Sequence, residues 1–282
     1  MTPTPLLSAR ELIVSYPGKG FRSKSTQVLH GVSVDLFAKR TLGLVGESGS
    51  GKTTLGRALV GLVTPSSGII EYDGTPISRR TRADQKRLSN EIQVVFQDPY
   101  SSLNPSMTVA DILAEPLVAR GTGRAAARSK VRGLLDQVGL PSDASDRLPR
   151  EFSGGQRQRV AIARALAVDP RVIVCDEPVS ALDLSTQLRI LDLLIEIQRD
   201  TDVSYLFVTH DIGAVRYISH EVSVMYRGEI LEHGPVDRVI DEPAHDYTKR
   251  LMLAAPIADP NKQAERRARR RELAASSNTP TR

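Results

Sequence analysis

The chain has 282 residues, 40% of them hydrophobic, which is enough for one large α/β core or for a core with an added part. Its single cysteine, Cys175, excludes an internal disulfide framework and an all-cysteine metal site within one chain. No run approaches the roughly 18 apolar residues of a spanning helix, and the N-terminus lacks the pattern of a signal peptide. The composition therefore predicts a soluble, cytoplasmic protein.

The excess positive charge is confined to the C-terminus. Residues 262–282 carry seven basic and two acidic side chains, which accounts for the whole net charge of +5. A basic tail can contact nucleic acid or anionic lipid, but such termini are more often solvated and flexible. We therefore expect no nucleic-acid partner.

The first elements predicted along the chain are two strands. "LSARELIVSYPGKG" and "VLHGVSVDLF" alternate like an antiparallel hairpin around a loop rich in Gly, Lys and Ser. Residues 41–62 follow as a short apolar strand, a glycine turn and a helix with apolar positions at Leu55, Leu59 and Leu62. This order predicts an antiparallel β part in front of the core that contains the glycine turn.

Three later apolar runs predict strands buried on both faces, as a parallel sheet requires. They are "IQVVF", "VIVC" and "YLFV", which begin at residues 92, 172 and 205. Ligands of open parallel sheets bind beyond the carboxyl ends of the strands. The polar residues after these runs should therefore meet the glycine turn at one edge, and they are Gln97, Asp176, Glu177, Thr209 and His210.

The remaining segments predict helices and a last hairpin. "SMTVADILAEPLVARG" and "AAARSKVRGLLDQVGL" are typical of helices with no strand between them, which indicates a helical insert. Residues 186–199 predict a helix with Leu188, Leu191, Leu194 and Ile195 on one side. "SVMYRGEILEHG" predicts a hairpin, and the chain beyond about residue 246 shows no clear core pattern.

These patterns predict a three-part organisation. Residues 1–97 and 153–235 form a core with an antiparallel β part and a mainly parallel sheet, residues 98–152 form a helical subdomain, and residues 236–282 form a C-terminal extension with a basic, flexible tail.

"GESGSGKT", residues 46–53, fits the phosphate-loop pattern between a strand and a helix. Gly46, Gly49 and Gly51 permit a tight backbone whose N–H groups surround a phosphate. Lys52 can reach the β and γ oxygens, and the Thr53 hydroxyl can bind magnesium. A chance glycine-rich turn in this context is improbable, so the chain is predicted to bind a nucleoside triphosphate.

"VIVCDE" supplies the groups that a phosphate loop lacks. Asp176 is placed to hold magnesium through its water shell, and Glu177 can orient or deprotonate the attacking water. The alternative is an exposed acidic pair that starts a turn before Pro178. The phosphate loop favours the catalytic interpretation, and Cys175 is interpreted as a core residue.

Three further residues have weaker local signals. Gln97 could contact magnesium and the water through its amide, and His210 could donate a hydrogen bond to the γ-phosphate. Alone, a histidine at a strand end is usually structural. Tyr16 could stack on a purine, and packing inside the hairpin core is nearly as good an interpretation.

A second anion-binding feature begins at Ser153. Ser153 and Gln156 have the spacing of a capping box, and Gly154 and Gly155 leave N–H groups uncovered at a helix start. The chain has one phosphate loop of its own, so a second phosphate-facing helix start requires another explanation.

Taken in order, Tyr16, "GESGSGKT", Gln97, "FSGGQ", "VIVCDE", "SALD" and His210 resemble the complete motif set of the ATP-binding cassette (ABC) ATPases. The resemblance covers residues 6–235. "VVFQDPYSSLNP" and "HDYTKRLMLAAPIADP" are similar to the second-type ATPase subunit of oligopeptide, dipeptide and related nickel importers. Phe152 stands where the family usually has leucine.

The resemblance implies a role for each motif residue. Tyr16 stacks on adenine, Glu177 is the catalytic base, and His210 and Gln97 assist it. The implied magnesium-binding residues are Thr53, Gln97 and Asp176. The implied ATP-binding set is Tyr16, Gly46, Glu47, Ser48, Gly49, Ser50, Gly51, Lys52, Thr53, Thr54 and Asp176.

The resemblance also implies a head-to-tail pair of cassettes with two ATP molecules between them. Each chain then closes over the ATP of its partner, and Asp183 helps to couple the two sites. The residues implied to act in trans are Ser153, Gly154, Gly155, Gln156 and Asp183. The implied partners are a paralogous ATPase subunit, two membrane permease subunits and an extracellular or periplasmic solute-binding protein, at the cytoplasmic face of the membrane.

The leading hypothesis is therefore an ATPase that powers import of peptides or related solutes. Three alternatives remain open: a nickel or other solute importer, a cassette in a phosphonate-cleaving complex, and a nucleic-acid- or ribosome-associated ATPase. The sequence does not identify the solute.

Overall fold

The computed structural model describes residues 4–18, 25–78 and 80–254. The basic tail at residues 262–282 lies outside the described residues. Within those ranges the strands are β1 (Leu7–Tyr16), β2 (Thr26–Leu36), β3 (Thr41–Val45), β4 (Ser67–Tyr72), β5 (Thr75–Pro76), β6 (Ile92–Val95), β7 (Val172–Asp176), β8 (Ser204–Thr209), β9 (Glu221–Tyr226) and β10 (Glu229–Pro235).

The helices alternate with these strands through most of the chain. Two short 3₁₀ turns, Ser142–Asp146 and Pro149–Glu151, precede α6. The described α-helices are α1 (Lys52–Val60), α2 (Arg82–Glu91), α3 (Pro99–Ser102), α4 (Val109–Ala119), α5 (Arg124–Gln137), α6 (Gly154–Leu166), α7 (Leu184–Thr201), α8 (Ile212–Ile218), α9 (Val236–Asp241) and α10 (Asp246–Ala254).

The strands form two sheets. The smaller sheet has the order β2-β1-β4-β5 and is antiparallel, with β1 paired to both β2 and β4. The larger sheet has the order β10-β9-β3-β8-β7-β6, in which β6, β7, β8, β3 and β9 run parallel and β10 is antiparallel to β9. The predicted fold class, an α/β core with an antiparallel N-terminal sheet and a mainly parallel sheet, is confirmed.

Successive residues of the parallel strands enter two different cores because side chains alternate across a strand. Val172 and Val174 of β7 pack with α1 and the antiparallel sheet. Ile173 and Cys175 pack on the other face with α6 and α7. The first four residues of β7 are therefore apolar, and its one polar residue, Asp176, stands at its end.

Several expected details differ in the structure. Helix α1 ends at Val60 because Gly61 adopts a left-handed cap at φ 84°, so Leu62 lies beyond it and is 59% exposed. On α7, Leu188 and Ile195 are exposed because the face that packs on the core is formed by Ile190, Leu191, Leu193, Leu194 and Ile197.

The C-terminal segment also differs from the sequence expectation of no core pattern beyond residue 246. Helix α10 spans Asp246–Ala254 and buries Tyr247, Thr248 and Met252. Thr248 and Met252 are about one turn apart, and Tyr247 is adjacent to Thr248, so the three side chains share one side of the helix. Among the described residues, no helix combines the length and apolar character needed to span a membrane.

Candidate nucleotide-binding site

The phosphate loop lies between β3, which ends at Val45, and α1, which begins at Lys52. Gly46, Gly49 and Gly51 have φ values of 155°, 82° and 107°. A Cβ atom at Gly46 would lie 2.1 Å from the Met225 carbonyl oxygen, so only glycine fits there. The loop leads directly into the N-terminus of α1, the end at which a helix presents unbonded N–H groups to an anion.

Lys52 carries a positive charge inside this loop. Its side chain is only 4% exposed, and Nζ donates hydrogen bonds of 2.8 Å to the carbonyl oxygens of Gly46 and Glu47. Burial lowers the pKa of Lys52, and nearby carboxylates, Glu177 first among them, oppose this shift. Among the described residues Lys52 forms no ion pair, so its ammonium group is available to a bound anion.

Asp176 and Thr53 meet beside the loop. The Thr53 hydroxyl donates a hydrogen bond of 2.9 Å to Oδ1 of Asp176, which is 8% exposed. Burial raises the pKa of Asp176, while the Thr53 hydrogen bond and the charge of Arg57 act in the opposite direction. A hydroxyl and a carboxylate are oxygen ligands of the kind that hard divalent cations prefer, so this pair fits magnesium.

Glu177 lies at the centre of the polar edge. One of its carboxylate oxygens, Oε2, accepts a hydrogen bond of 3.1 Å from Nε2 of Gln97 and lies 3.3 Å from Nδ1 of His210. These contacts join the segments that follow β6, β7 and β8. The expected convergence of these strand ends is therefore confirmed, and Gln97 and His210 contact the same carboxylate oxygen of Glu177.

The backbone of Glu177 is strained. Its φ is 51°, a left-handed conformation that non-glycine residues seldom adopt. Its N–H donates a hydrogen bond of 2.9 Å to the carbonyl oxygen of Val208. Such residues cost on the order of 1–3 kcal/mol and persist where the surrounding structure holds them. In this conformation the chain turns sharply after β7. The Glu177 side chain then lies at the sheet edge and is only 14% exposed.

Tyr16 is the last residue of β1 and is 36% exposed. The alternative interpretation, that Tyr16 packs inside the hairpin core, is therefore wrong. Its stacking on adenine stays a prediction.

The Ser153 segment has the predicted capping box. The Ser153 hydroxyl accepts from the Gln156 N–H at 3.3 Å, and the Gln156 side-chain oxygen accepts from the Ser153 N–H at 3.0 Å. A Cβ at Gly155 would lie 2.4 Å from Cγ2 of Thr186, so α6 and α7 approach closely here. This glycine serves helix packing, a role that the sequence did not suggest.

Asp183 lies next to this segment and caps α7. Its Oδ1 accepts from the Thr186 N–H at 3.0 Å and from the Ser185 hydroxyl at 2.7 Å. These hydrogen bonds hold the pKa of Asp183 well below its usual range. Among the described residues, no hydrogen bond or ion pair joins the groups at 153–156 and 183 to the phosphate loop.

Sequence reasoning missed one residue of the phosphate loop's surroundings. The Glu47 N–H donates a hydrogen bond of 3.2 Å to the hydroxyl oxygen of Tyr247 on α10. The helical spacing of Tyr247 with Leu251, and of Thr248 with Met252, was the available signal for this helix.

A phosphate loop, an Asp-Glu pair at the next strand end and a mainly parallel sheet define a nucleotide-binding protein of the P-loop ATPase class. The family described as ABC transporter matches residues 29–180, more than half of the chain. The chain belongs to this family, as the motif order predicted, and it is an ATP-binding, ATPase-type cassette.

Curated relatives agree with this assignment. The chain is 47% identical over 268 residues to the glutathione import ATP-binding protein GsiA of Salmonella typhimurium, covering 93% of this chain and 43% of that protein. It is 46% identical over 269 residues to GsiA of Escherichia coli, with the same two coverages. The chain thus spans less than half the length of these relatives.

Solved structures share the fold. The cbiO1 protein of Clostridium perfringens, described as part of an ABC transporter complex, has a TM-score of 0.75 and 30% identity, covering 85% of this chain and 92% of that one. The ATP-binding cassette MJ0796, in a dimeric post-hydrolysis state bound to ADP and Pi, has a TM-score of 0.73 and 26% identity, with coverages of 82% and 98%.

Proposed function

We propose that the chain is the ATP-binding, ATP-hydrolysing subunit that powers an importer of oligopeptides, dipeptides or related solutes. The observation that carries this proposal is the identity of 46–47%, over 93% of the chain, to proteins named as glutathione import ATP-binding proteins. Glutathione is a tripeptide, so these names favour peptide import over a phosphonate-cleaving complex, a nickel importer or a nucleic-acid- or ribosome-associated ATPase.

ATP is proposed to bind along the phosphate loop. The backbone N–H groups of residues 49–54 surround the phosphates, the buried Lys52 ammonium pairs with them, and the exposed Tyr16 ring stacks on adenine. The pair of Thr53 and Asp176, with Gln97 nearby, would hold Mg²⁺, which supplies charge neutralisation for the phosphate oxygens.

Glu177 is proposed to act as the catalytic base. A water oxygen attacks the γ-phosphorus, the bond from that phosphorus to the bridging β–γ oxygen breaks, and Glu177 accepts the proton of the water. Gln97 and His210 contact the same Glu177 oxygen and so hold the carboxylate in place. His210 is more than half exposed and can also donate to the γ-phosphate.

The Ser153 segment is proposed to act on the ATP of a partner cassette. Ser153, Gly154, Gly155, Gln156 and Asp183 are held by their own local hydrogen bonds and packing, which leaves the start of α6 a rigid surface. The related MJ0796 cassette is described as dimeric, which supports pairing of two cassettes. We propose that the two cassettes pair head to tail, close on ATP binding and reopen after hydrolysis.

The proposed assembly has a paralogous ATPase subunit, two permease subunits and a solute-binding protein, at the cytoplasmic face of a membrane. The segment after Gln97 and the helices of residues 98–152 would receive the permease subunits. The division into residues 1–97 with 153–235, residues 98–152 and residues 236–282 belongs to the same proposal.

Recovery of partners from native membranes tests this function. The chain should copurify in detergent with membrane subunits and a second cassette, and the solute bound to the complex identifies the cargo. Recovery of DNA, ribosomes or soluble metabolic subunits in their place would contradict import. The copurification is repeated with and without ATP, for the wild type and for Lys52→Ala as a control. The comparison shows whether assembly depends on the nucleotide site.

A further inference from the structure

The peptide unit between Gly46 and Glu47 is held from both sides. Its carbonyl oxygen accepts a hydrogen bond of 2.8 Å from the Lys52 ammonium. Its N–H donates a hydrogen bond of 3.2 Å to the hydroxyl oxygen of Tyr247. A peptide unit is planar, so a group that fixes the N–H also fixes the direction of the carbonyl.

Tyr247 is itself firmly placed. It is 5% exposed, and its ring centroid lies 4.3 Å from that of Tyr226 at the end of β9. Just before α10, the Glu232 carboxylate on β10 accepts hydrogen bonds from the N–H groups of Ala244 at 2.8 Å and His245 at 3.1 Å. The start of α10 is thereby tied to the β9–β10 hairpin.

The same hairpin supports the phosphate loop at other points. The Gly228 N–H donates 2.8 Å to the Ser50 carbonyl oxygen, and Gly46 lies directly against the Met225 carbonyl. Strand β9 pairs with β3, the strand that leads into the loop. The hairpin and α10 therefore support the phosphate loop together. Tyr247 contributes a side-chain hydrogen bond to the loop, through the Glu47 N–H.

We propose that Tyr247 is a positioning residue for nucleotide binding, and that α10 is a functional part of the ATP site. Its hydroxyl fixes the Gly46–Glu47 peptide and thereby the carbonyl that holds Lys52 toward the phosphates. This inference rests on the proposed nucleotide site. It gives the C-terminal extension a role in ATP affinity, from a position some 200 residues beyond the loop in sequence.

The test compares two variants that each remove one hydroxyl from the full chain. Tyr247→Phe keeps the ring contact with Tyr226 and loses only the bond to Glu47. Tyr217→Phe is the matched control, because the Tyr217 hydroxyl donates 2.6 Å to Asp192 on the exposed face of α7 and α8. The readouts are the Kd of a fluorescent ATP analogue with Mg²⁺, the Tm, and the acetylation rate of Lys52 measured by peptide mass spectrometry.

We expect Tyr247→Phe to raise the Kd about threefold to tenfold, the range of one net hydrogen bond, and to speed acetylation of Lys52. Its Tm should fall no further than that of Tyr217→Phe, whose Kd should match the wild type. An unchanged Kd, or equal rises in both variants, would overturn the role of Tyr247.

A third variant separates this inference from the nucleotide site on which it rests. Lys52→Ala should weaken binding of the same analogue more than Tyr247→Phe does. If Lys52→Ala binds like the wild type, the proposed nucleotide site itself is wrong. If Lys52→Ala loses binding while Tyr247→Phe does not, only the inference about Tyr247 is overturned.

Discussion

The two polar regions of the molecule are built differently. The region around Glu177 is held together by contacts between residues far apart in sequence, such as Gln97 with Glu177 and Thr53 with Asp176. The region around Ser153 uses bonds between residues two or three positions apart, at the caps of α6 and α7. The first region is the one that we propose as the reaction site, and in the second the side chains are already paired within their own helix caps.

This difference bears on the part that each region is proposed to play. Lys52 and Glu177 are buried or nearly buried, and we propose that they act on the nucleotide and on the attacking water. The side chains of Ser153 and Asp183 are occupied as caps, so the start of α6 offers mainly its backbone N–H groups and helix dipole. A partner's phosphate is the ligand that we propose for them.

The largest expected effect is on the first region. Glu177→Gln keeps the size of the side chain and removes the base, so ATP hydrolysis should fall about 10²- to 10⁴-fold, the usual contribution of a positioned base. ATP affinity should stay within about twofold, since the phosphate loop is untouched. Steady-state ATPase assays and titration with a fluorescent ATP analogue measure the two quantities.

Glu196→Gln is the matched control for this variant, because Glu196 lies on the exposed part of α7. It should hydrolyse ATP at the wild-type rate. If Glu177→Gln hydrolyses ATP at the wild-type rate, Glu177 is not the catalytic base, and no base is then identified at the site.

A smaller effect is expected in the second region. Gly155→Ala places a Cβ 2.4 Å from Cγ2 of Thr186, so we expect a loss of about 1–3 kcal/mol in the free energy of unfolding. Binding of ATP to the isolated chain should not change. Chemical denaturation measures the stability, and the ATP titration measures the binding.

Thr186→Ser supplies the internal control, because serine lacks the clashing methyl group. The double variant Gly155→Ala with Thr186→Ser should recover most of the lost stability. If the double variant is no more stable than Gly155→Ala, the close contact of α6 with α7 is not the reason for a glycine at this position.

Much of the site was predictable because its signals are local. Apolar runs ending in Gln97, Asp176, Glu177 and His210 predicted the strand ends, and parallel strands bring such ends to one edge. The spacing of Ser153 and Gln156 predicted the capping box. The arrangement of Gln97 and His210 on a single oxygen of Glu177 was not predictable, because it depends on side-chain geometry across three loops.

Other features depend on contacts that no local pattern encodes. The bond from Glu47 to Tyr247 joins residues 200 positions apart, and the role of Gly155 depends on the distance between two helices. Leu188 of α7 was expected on the buried side of the helix, and it is exposed. The spacing of apolar residues predicts that a helix has an apolar face, but it does not say which residues lie at the centre of that face. Long-range packing decided each of these cases.

A crosslink can test whether the Ser153 segment contacts the nucleotide of another chain, as we propose. One chain carries Ser153→Cys together with Glu177→Gln, which slows hydrolysis. The partner cassette carries a cysteine in its phosphate loop, at the position that corresponds to Ser48. The natural Cys175 should not interfere, since it is buried and burial raises its pKa. We predict an intermolecular disulfide that forms with ATP and not without it. A disulfide formed only within one chain, or one indifferent to ATP, would contradict it.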